Sequence, residues 1–312
     1  MRFDAHAIPA LDGKTIVITG ANSGIGLVAA RLFAERRARV VLACRDAAKM
    51  EAAAATLARE VPGASIDQVR LDLGSLASVR DAAAAIGGRH PVVDVLVNNA
   101  GVMAIPSRLT ADGFEMQLGT NHLGHFALTG LLLDRVSAAP AGRVVTVSSI
   151  MHRRGRVDFD DIPVPRRYSP SRAYSMSKLC NLLFAYELDR RLRASASTVA
   201  SLACHPGYSA TNLQAVGPAM SGSRVMGWLM RLMNAVMAQP AERGALPTAY
   251  AATGAELQGG DYVGPPGPIG LRGLPAKVPS SSASHDLEVA GRLWARSEEL
   301  TGVHYRFARA AA

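Results

Sequence analysis

Short runs of Val, Ile and Leu alternate with helical patterns through the first two-thirds of this chain. The strand-like runs occupy residues 15–19, 39–43, 65–70, 93–98, 142–148 and 198–204, and helical patterns occupy 24–36, 47–60, 76–86, 114–138 and 171–193. Continuous apolar strands that alternate with helices are typical of a parallel sheet covered on both faces. Because such crossovers are right-handed, the pattern predicts an α/β fold with a doubly wound, Rossmann-type sheet.

Two irregular segments remain, and neither indicates a second domain. Residues 150–170 are rich in Arg, Asp and Pro, and residues 259–282 are rich in Gly and Pro. We expect the first to form a loop at the mouth of the sheet. We expect the second to hold a last strand at 261–263, before a C-terminal helix at 288–300. No repeat or low-complexity linker divides the 312 residues, so residues 1–312 are predicted to form a single domain.

Composition narrows the classes of partner. Hydrophobic residues make up 49% and charged residues 19%, as in globular chains, and the net charge of +9 comes almost wholly from Arg. A basic surface favours anionic ligands such as phosphorylated cofactors, although a solvated surface explains the same charge. Because the arginines are scattered and aromatic residues are few, the sequence predicts no nucleic-acid partner.

Cysteine usage and hydropathy indicate a protein of the cytoplasm. Cys44, Cys180 and Cys204 are widely spaced and form neither a disulfide framework nor a metal-ligand pattern, which predicts a reducing compartment and no metal. The N-terminus shows no signal-peptide pattern, and no run reaches the roughly 18 apolar residues of a membrane span. The sequence therefore predicts a soluble, cytoplasmic protein.

A glycine-rich turn joins the first strand to the first helix, with the sequence Thr19-Gly20-Ala-Asn-Ser-Gly24-Ile-Gly26. Gly20 permits a tight turn, while Gly24 and Gly26 let the backbone approach a pyrophosphate at the helix N-terminus. The glycine spacing differs from that of the G-x-G-x-x-G fingerprint, and an ordinary turn is the alternative. The strand before it and the helix after it favour a dinucleotide site.

The end of the second strand bears on which dinucleotide binds. A site selective for NAD places an acidic residue there to accept hydrogen bonds from the ribose. This chain has Cys44 followed by Arg45 and Asp46. Arg45 can pair with a 2′-phosphate, which favours NADP, and NAD stays open as the alternative. Asp46 has two interpretations, as a helix N-cap or as a competitor for Arg45.

Polar residues also follow the third and fourth strands. Asp72 comes after the third, and Asn98-Asn99-Ala100-Gly101 ends the fourth. Each alone is a turn signal. Both lie at carboxyl ends of strands, where ligands bind in open sheets.

Tyr174 and Lys178 stand four residues apart in a helical pattern, so their side chains share one face. A phenol beside a fixed positive charge loses its proton more easily and can exchange it with a substrate oxygen. Lysine occurs only at positions 14, 49, 178 and 277, while Arg is abundant. A retained Lys therefore suggests a need for a compact ammonium. An ordinary surface contact on a helix is the alternative for the pair alone.

Six motifs occur together and in one order. They are Thr19-Gly-x-x-x-Gly24-x-Gly26, Asn98-Asn-Ala-Gly101, Asn121-His-Leu-Gly124, Val147-Ser-Ser149, Tyr174-x-x-x-Lys178 and Pro206-Gly-x-x-x-Thr211. With them the chain resembles the short-chain dehydrogenase/reductase family over nearly its whole length. Within that family it is most similar to the retinol-dehydrogenase-like branch. The shared features are Cys44-Arg45-Asp46, a long interval between Ser149 and Tyr174, and Ser177-Lys-Leu-x-Asn181.

The resemblance implies a role for each matching residue. Tyr174 would be the general acid/base, and Lys178 would hold the nicotinamide ribose and lower the tyrosine pKa. Ser149 would hydrogen-bond the substrate oxygen, with Ser148 as the alternative, and Asn121 would support a water that leads from Lys178 to solvent. The residues implied to bind the cofactor are Gly20, Asn22, Ser23, Gly24, Ile25, Gly26, Arg45, Asp72, Leu73, Asn99, Ala100, Gly101, Tyr174, Lys178, Pro206, Gly207 and Thr211.

Two segments near the implied site each have two interpretations. Residues 212–245 occupy the position of the family's substrate lid, and they contain Met220, Met226, Met230, Met233 and Met237. A methionine-rich surface suits lipophilic ligands, whereas a core helix or a partner-facing helix explains the same spacing. The arginines of 150–170 either attract an anionic substrate group or form a solvated loop balanced by acidic residues.

These features together predict an NADP(H)-dependent oxidoreductase that interconverts an alcohol and a carbonyl on an apolar small-molecule substrate. A non-catalytic sensor or scaffold that binds NADP(H) is the alternative from another class, although such proteins tend to lose the Tyr or the Lys. An epimerase or dehydratase of sugar nucleotides shares the fold but usually needs a larger C-terminal domain. By analogy with the family, a homo-oligomer is expected.

Overall fold

The strands of this protein form one mainly parallel sheet. The computed structural model describes residues 3–208 and 239–307. Its strands are β1 (Thr15–Thr19), β2 (Arg39–Cys44), β3 (Ser65–Arg70), β4 (Val95–Asn98), β5 (Arg143–Val147), β6 (Ala200–Cys204), β7 (Tyr262–Gly264) and β8 (Ala276–Lys277). Within these ranges their order is β3-β2-β1-β4-β5-β6-β7-β8, and β8 alone runs antiparallel to its neighbour. The strand order reverses between β1 and β4, which is where open sheets of this kind bind ligands.

Helices cover both faces of the sheet. They are α1 (Gly24–Ala34), α2 (Ala47–Glu60), α3 (Leu76–Arg89), α4 (Met116–Leu118), α5 (Gly124–Ser137), α6 (Pro170–Ala194), α7 (Ala241–Thr253) and α8 (Leu287–Thr301). In β1, Ile16 and Ile18 pack with residues of α1, α2 and α7, while Val17 packs with residues of α3, α5 and α6. Because successive strand residues point to opposite faces, this alternation shows that both faces are buried. The doubly wound, Rossmann-type sheet is confirmed.

Aromatic packing holds the two helices nearest the candidate site. Phe126 on α5 lies 5.5 Å from Phe184 on α6 and 5.1 Å from Trp294 on α8, measured between ring centroids. The Tyr305 hydroxyl donates a hydrogen bond to the carbonyl of Phe126. Such aromatic pairs contribute about 0.5–1.5 kcal/mol each beyond the area that they bury. The C-terminal segment therefore fixes α5 and α6 to each other.

Most element bounds that the sequence predicts are confirmed to within a few residues. Helix α7 was not predicted, because Pro247 lies inside it and a proline normally ends a helix. Here burial of the helix against α1 outweighs that preference. Strand β8 has two residues, too few to leave a hydrophobic pattern. The predicted loop at 150–170 contains two short 3-10 helices, Ile150–Arg154 and Phe159–Asp161.

The predicted lid at 212–245 lies mostly outside the described residues, and so do Thr211 and the five methionines between 220 and 237. Its described end leads into α7, where Ala245 is completely buried. Among the helices that the structure describes, none combines the length and the apolar character that crossing a bilayer requires.

Candidate active site

A cleft of about 370 Å³ opens at the carboxyl ends of the strands, around the reversal between β1 and β4. Most of the cofactor residues predicted from the sequence line it, namely Gly20, Asn22, Ser23, Gly24, Ile25, Gly26, Arg45, Asp72, Leu73, Asn99, Ala100, Gly101, Tyr174, Lys178 and Pro206. The lining also includes residues that were not predicted to bind cofactor: Ala43, Cys44, Asp46, Lys49, Leu71, Val102, Thr120, Val147 and Ser148. Gly207, Asn121 and Ser149 are not part of this lining.

The glycine turn forms one wall of the cleft. A Cβ atom on Gly26 would lie 2.5 Å from the carbonyl oxygen of Gly20 and 2.6 Å from Nδ2 of Asn99. Only glycine allows so close an approach. In the described part of the chain, the side chain of Ser23 makes no capping hydrogen bond to α1, whereas Asp46 caps α2 and Ser75 caps α3. The backbone N–H groups at the start of α1 therefore face the cleft without a side-chain acceptor, as a phosphate site requires.

We expect Gly26→Ala to lower the free energy of unfolding by about 1–3 kcal/mol, because the added methyl group overpacks the turn. It should also weaken dinucleotide binding by displacing the Gly20 backbone and the Asn99 side chain. Thermal unfolding and cofactor titration measure the two effects. Gly291→Ala is the matched control, because among the described residues no atom outside its own stretch of α8 lies within 4 Å of its Cβ position. That variant should be neutral or slightly stabilising, and equal losses in both variants would contradict the packing argument.

The end of β2 presents cations to the cleft. Burial raises the pKa of the Cys44 thiol to about 11, so this residue stays neutral. The Asp46 carboxylate accepts a hydrogen bond from the backbone N–H of Lys49 at 3.0 Å, which makes it the N-cap of α2. Arg45 and Lys49 both line the cleft. Lys49 was missed in the sequence analysis, although its place in the first turn of the predicted helix, four residues after Arg45, was a usable signal.

Tyr174 lies on α6 with its ring buried and its edge on the cleft. The side chain of Ser149, which follows β5, lies near the Tyr174 hydroxyl and acts to lower the tyrosine pKa. The sequence analysis expected a lowered tyrosine pKa, but the structure gives the opposite direction. Burial raises the pKa of Tyr174 to about 12, and only the nearby Ser149 side chain opposes this rise. The expectation was wrong because it considered the neighbouring charge and omitted desolvation.

Lys178 lies one turn further along α6, with its ammonium nitrogen 5.8 Å from the centroid of the Tyr174 ring. The nitrogen donates a hydrogen bond to the carbonyl of Val147 at 3.1 Å. Burial lowers the pKa of Lys178 to about 8. Of the two adjacent serines, Ser148 donates its hydroxyl to the carbonyl of Lys178 at 2.7 Å. This commitment leaves Ser149, and not Ser148, as the partner of Tyr174.

Asn121 lies behind the cleft in a π-helix, Gly119–Leu123, between α4 and α5. Its amide nitrogen donates to the carbonyl of Val102 at 3.0 Å, and its amide oxygen accepts from the Val102 N–H at 2.8 Å. The same amide nitrogen donates to the Ser177 hydroxyl at 2.9 Å. Asn121 therefore connects the loop after β4 to the helix that carries Tyr174 and Lys178. The helix predicted at 114–138 is present, but its residues 119–123 form a π-helical turn, and such bulges are frequent at functional sites.

The fold and this site define a short-chain dehydrogenase/reductase. The sequence profile of the short chain dehydrogenase family matches residues 14–220, and the chain belongs to that family. Retinol dehydrogenase 13 of Homo sapiens is 42% identical over 296 residues, covering 94% of this chain and 86% of that protein. Retinol dehydrogenase 14 of Homo sapiens is 39% identical over 308 residues, covering 94% and 88%. These relatives show that the chain lies in the retinol-dehydrogenase-like branch.

A solved structure is similar over the whole fold. It is the crystal structure of an uncharacterized protein from Mycobacterium Paratuberculosis, with 44% sequence identity and a TM-score of 0.81. The match covers 98% of this chain and 100% of that chain. The family and the relatives establish an oxidoreductase that acts on alcohol and carbonyl groups. They give no support to the non-catalytic sensor.

Proposed function

We propose that this enzyme uses NADP(H) to interconvert an alcohol and a carbonyl on a lipophilic substrate, with Tyr174 as the general acid/base. The placement of the Ser149 side chain near the Tyr174 hydroxyl, one turn from the buried Lys178, carries this proposal. Because the relatives are named retinol dehydrogenases, retinol is the first substrate to test. Purified protein should oxidise retinol with NADP or reduce retinal with NADPH. Failure with retinoids and with a panel of other apolar alcohols and carbonyls would overturn the proposal.

The chain's own residues fit a nicotinamide dinucleotide. The glycine turn leaves room for a pyrophosphate, and Arg45 and Lys49 offer cations to a 2′-phosphate. The bound cofactor supplies the hydride, or accepts it in the reverse direction. In reduction, Tyr174 donates its phenolic proton to the substrate oxygen, while the Ser149 hydroxyl donates a hydrogen bond to the same oxygen. In oxidation, Tyr174 receives the proton of the alcohol.

Lys178 and Asn121 act behind this pair. Lys178 holds the nicotinamide ribose and places a positive charge near the phenol, which favours the phenolate that forms during turnover. Asn121 supports the proton path from Lys178 toward solvent. Because burial raises the pKa of Tyr174 to about 12, the phenol carries its proton at neutral pH. The protonated phenol is the form that donates a proton during carbonyl reduction.

Cofactor preference should depend on Arg45. We expect Arg45→Ala to raise the Kd for NADP about 10- to 100-fold, because a charge-assisted hydrogen bond contributes about 1.5–3 kcal/mol. The Kd for NAD should change little, since NAD has no 2′-phosphate. Lys49→Ala should have a smaller effect, because the Lys49 ammonium also lies 3.6 Å from the Asp46 carboxylate.

Titration of each variant with both dinucleotides measures this preference. Arg59→Ala is the control, since it removes the same charge from the exposed last turn of α2. Equal weakening of NADP and NAD binding by Arg45→Ala would show that Arg45 does not read the 2′-phosphate.

We also propose that the chain acts as one domain, because segments spread along the chain from Gly20 to Pro206 line a single cleft. Cys44, Cys180 and Cys204 are buried free thiols, which supports a reducing compartment such as the cytoplasm. A homo-oligomer stays a prediction, and the mass of the protein in solution tests it.

A further inference from the structure

We propose that His152 is a positioning residue that holds Ser149 in register with Tyr174. This inference rests on the proposed function, in which Ser149 binds the substrate oxygen. His152 belongs to the 3-10 helix Ile150–Arg154, which begins directly after Ser149. The residue is 1% exposed, and it is not among the residues that line the cleft.

The ring of His152 makes two hydrogen bonds in opposite directions. Nδ1 lies 2.6 Å from the backbone carbonyl oxygen of Ser149, and Nε2 lies 3.1 Å from the backbone nitrogen of Ser281. A carbonyl only accepts and a backbone N–H only donates, so the neutral ring must carry its hydrogen on Nδ1. Burial, more than the nearby Arg153, lowers the pKa of His152 and keeps the ring neutral. Nδ1 thus donates one hydrogen bond and Nε2 accepts one.

Both ends of this connection are fixed to the helix that carries Tyr174. The neighbour of Ser281, Ser280, accepts a hydrogen bond at 2.9 Å from the hydroxyl of Tyr186 on α6. At the other end, the turn packs tightly on α6 at Gly155, where a Cβ atom would lie 2.5 Å from the carbonyl oxygen of Ser175. The imidazole therefore joins the Ser149 peptide to a frame that is anchored on α6.

The consequence concerns the Ser149 hydroxyl. This hydroxyl also accepts a hydrogen bond from the Met151 N–H at 3.2 Å, so its orientation depends on the course of the same short turn. Without the ring, the only hydrogen bond to the Ser149 carbonyl from the described residues would be that of the His152 N–H, at 3.0 Å. Catalytic groups that drift by about 1 Å can lose about 10²-fold in rate. The ring thereby keeps Ser149 preorganised against Tyr174.

Two variants separate positioning from simple stability. In His152→Asn, the side-chain nitrogen takes the place of Nδ1 and can donate to the Ser149 carbonyl, but nothing reaches Ser281. In His152→Gln, the side-chain oxygen reaches toward Ser281 and the donor to Ser149 is lost. We expect the Asn variant to keep kcat within about threefold and the Gln variant to lose about 10- to 100-fold. KM for NADPH should be unchanged in both variants. Their Tm values should fall by similar amounts, since each variant loses one hydrogen bond.

Equal kcat values in the two variants would overturn the positioning role. Ser149→Ala distinguishes this failure from failure of the proposed function: full turnover in that variant would remove Ser149 from the mechanism altogether. A loss of turnover in Ser149→Ala, together with equal Asn and Gln variants, would refute the role of His152 alone. Nitrogen NMR of the wild-type protein gives a test that needs no variant. The Nδ1–H tautomer of His152 is expected, and the Nε2–H tautomer would contradict the proposal.

Discussion

Replacing Tyr174 with Phe should lower kcat by about 10²- to 10⁴-fold, the usual contribution of a general acid/base. The substitution keeps the buried ring and its packing on α6 and removes only the hydroxyl that lies near Ser149. Affinity for NADPH should therefore remain close to that of the wild type. The loss should appear in kcat and kcat/KM together, because the proton transfer occurs only in the transition state.

Steady-state kinetics with a reducible carbonyl and titration with NADPH measure these two quantities separately. Tyr250→Phe is the matched control. Its ring is also buried, and its hydroxyl donates to Glu256 at 2.7 Å, on α7 and away from the cleft lining. The control should retain full turnover. Full turnover in Tyr174→Phe would refute the assigned acid/base role, and loss of NADPH binding in that variant would indicate a structural role instead.

The parallel sheet and the glycine turn could be predicted because their signals are local. A strand buried on both faces must be largely apolar, as at residues 16–18 of β1 and 144–145 of β5, and this leaves a direct mark in the sequence. The Gly20 and Gly26 turn is equally local, since close backbone approach excludes every other side chain. The order of the motifs then predicted that residues from distant strands meet at one edge of the cleft.

What could not be predicted depends on contacts between distant segments. The π-helix Gly119–Leu123 interrupts an apolar helical pattern, and its Asn121 is held by Val102 from the loop after β4. Spacing alone cannot reveal such a bulge. His152 likewise depends on Ser281, which lies far along the chain. The direction of the Tyr174 pKa was missed for the same reason, because the depth of burial is a property of the whole fold.

Replacing Lys178 with Met should abolish most turnover and yet stabilise the free enzyme. Lys178 is 4% exposed, and burial lowers its pKa to about 8 from 10.5. A lowered lysine pKa means that the folded state disfavours the charged form, so at pH 7 the wild type carries an energetic penalty. Met has a similar length and no charge. The Val147 carbonyl also keeps a donor in the variant, since Asn181 donates to it at 3.1 Å.

The expected gain in the free energy of unfolding is roughly 1–3 kcal/mol at pH 7, by the relation between pKa shifts and stability. Below pH 8, both the folded and the unfolded wild type bind the proton, and the gain is complete. Between about pH 8 and 10.5 the unfolded wild type binds more protons than the folded one, so wild-type stability rises with pH and the gain shrinks. Urea unfolding without cofactor, at pH 7 and at pH 10, measures the difference in stability between the variant and the wild type where it is complete and where it has shrunk.

Lys14→Met provides the control, because it removes a half-exposed ammonium that pairs with Asp94 at 2.9 Å. That variant should be neutral or slightly less stable at pH 7, with no gain to lose at higher pH. A Lys178→Met enzyme that is less stable than the wild type at pH 7 would contradict the burial penalty. A stabilised enzyme without turnover would instead show why a buried ammonium persists here: the fold would be more stable without it, so its retention must come from the chemistry at Tyr174.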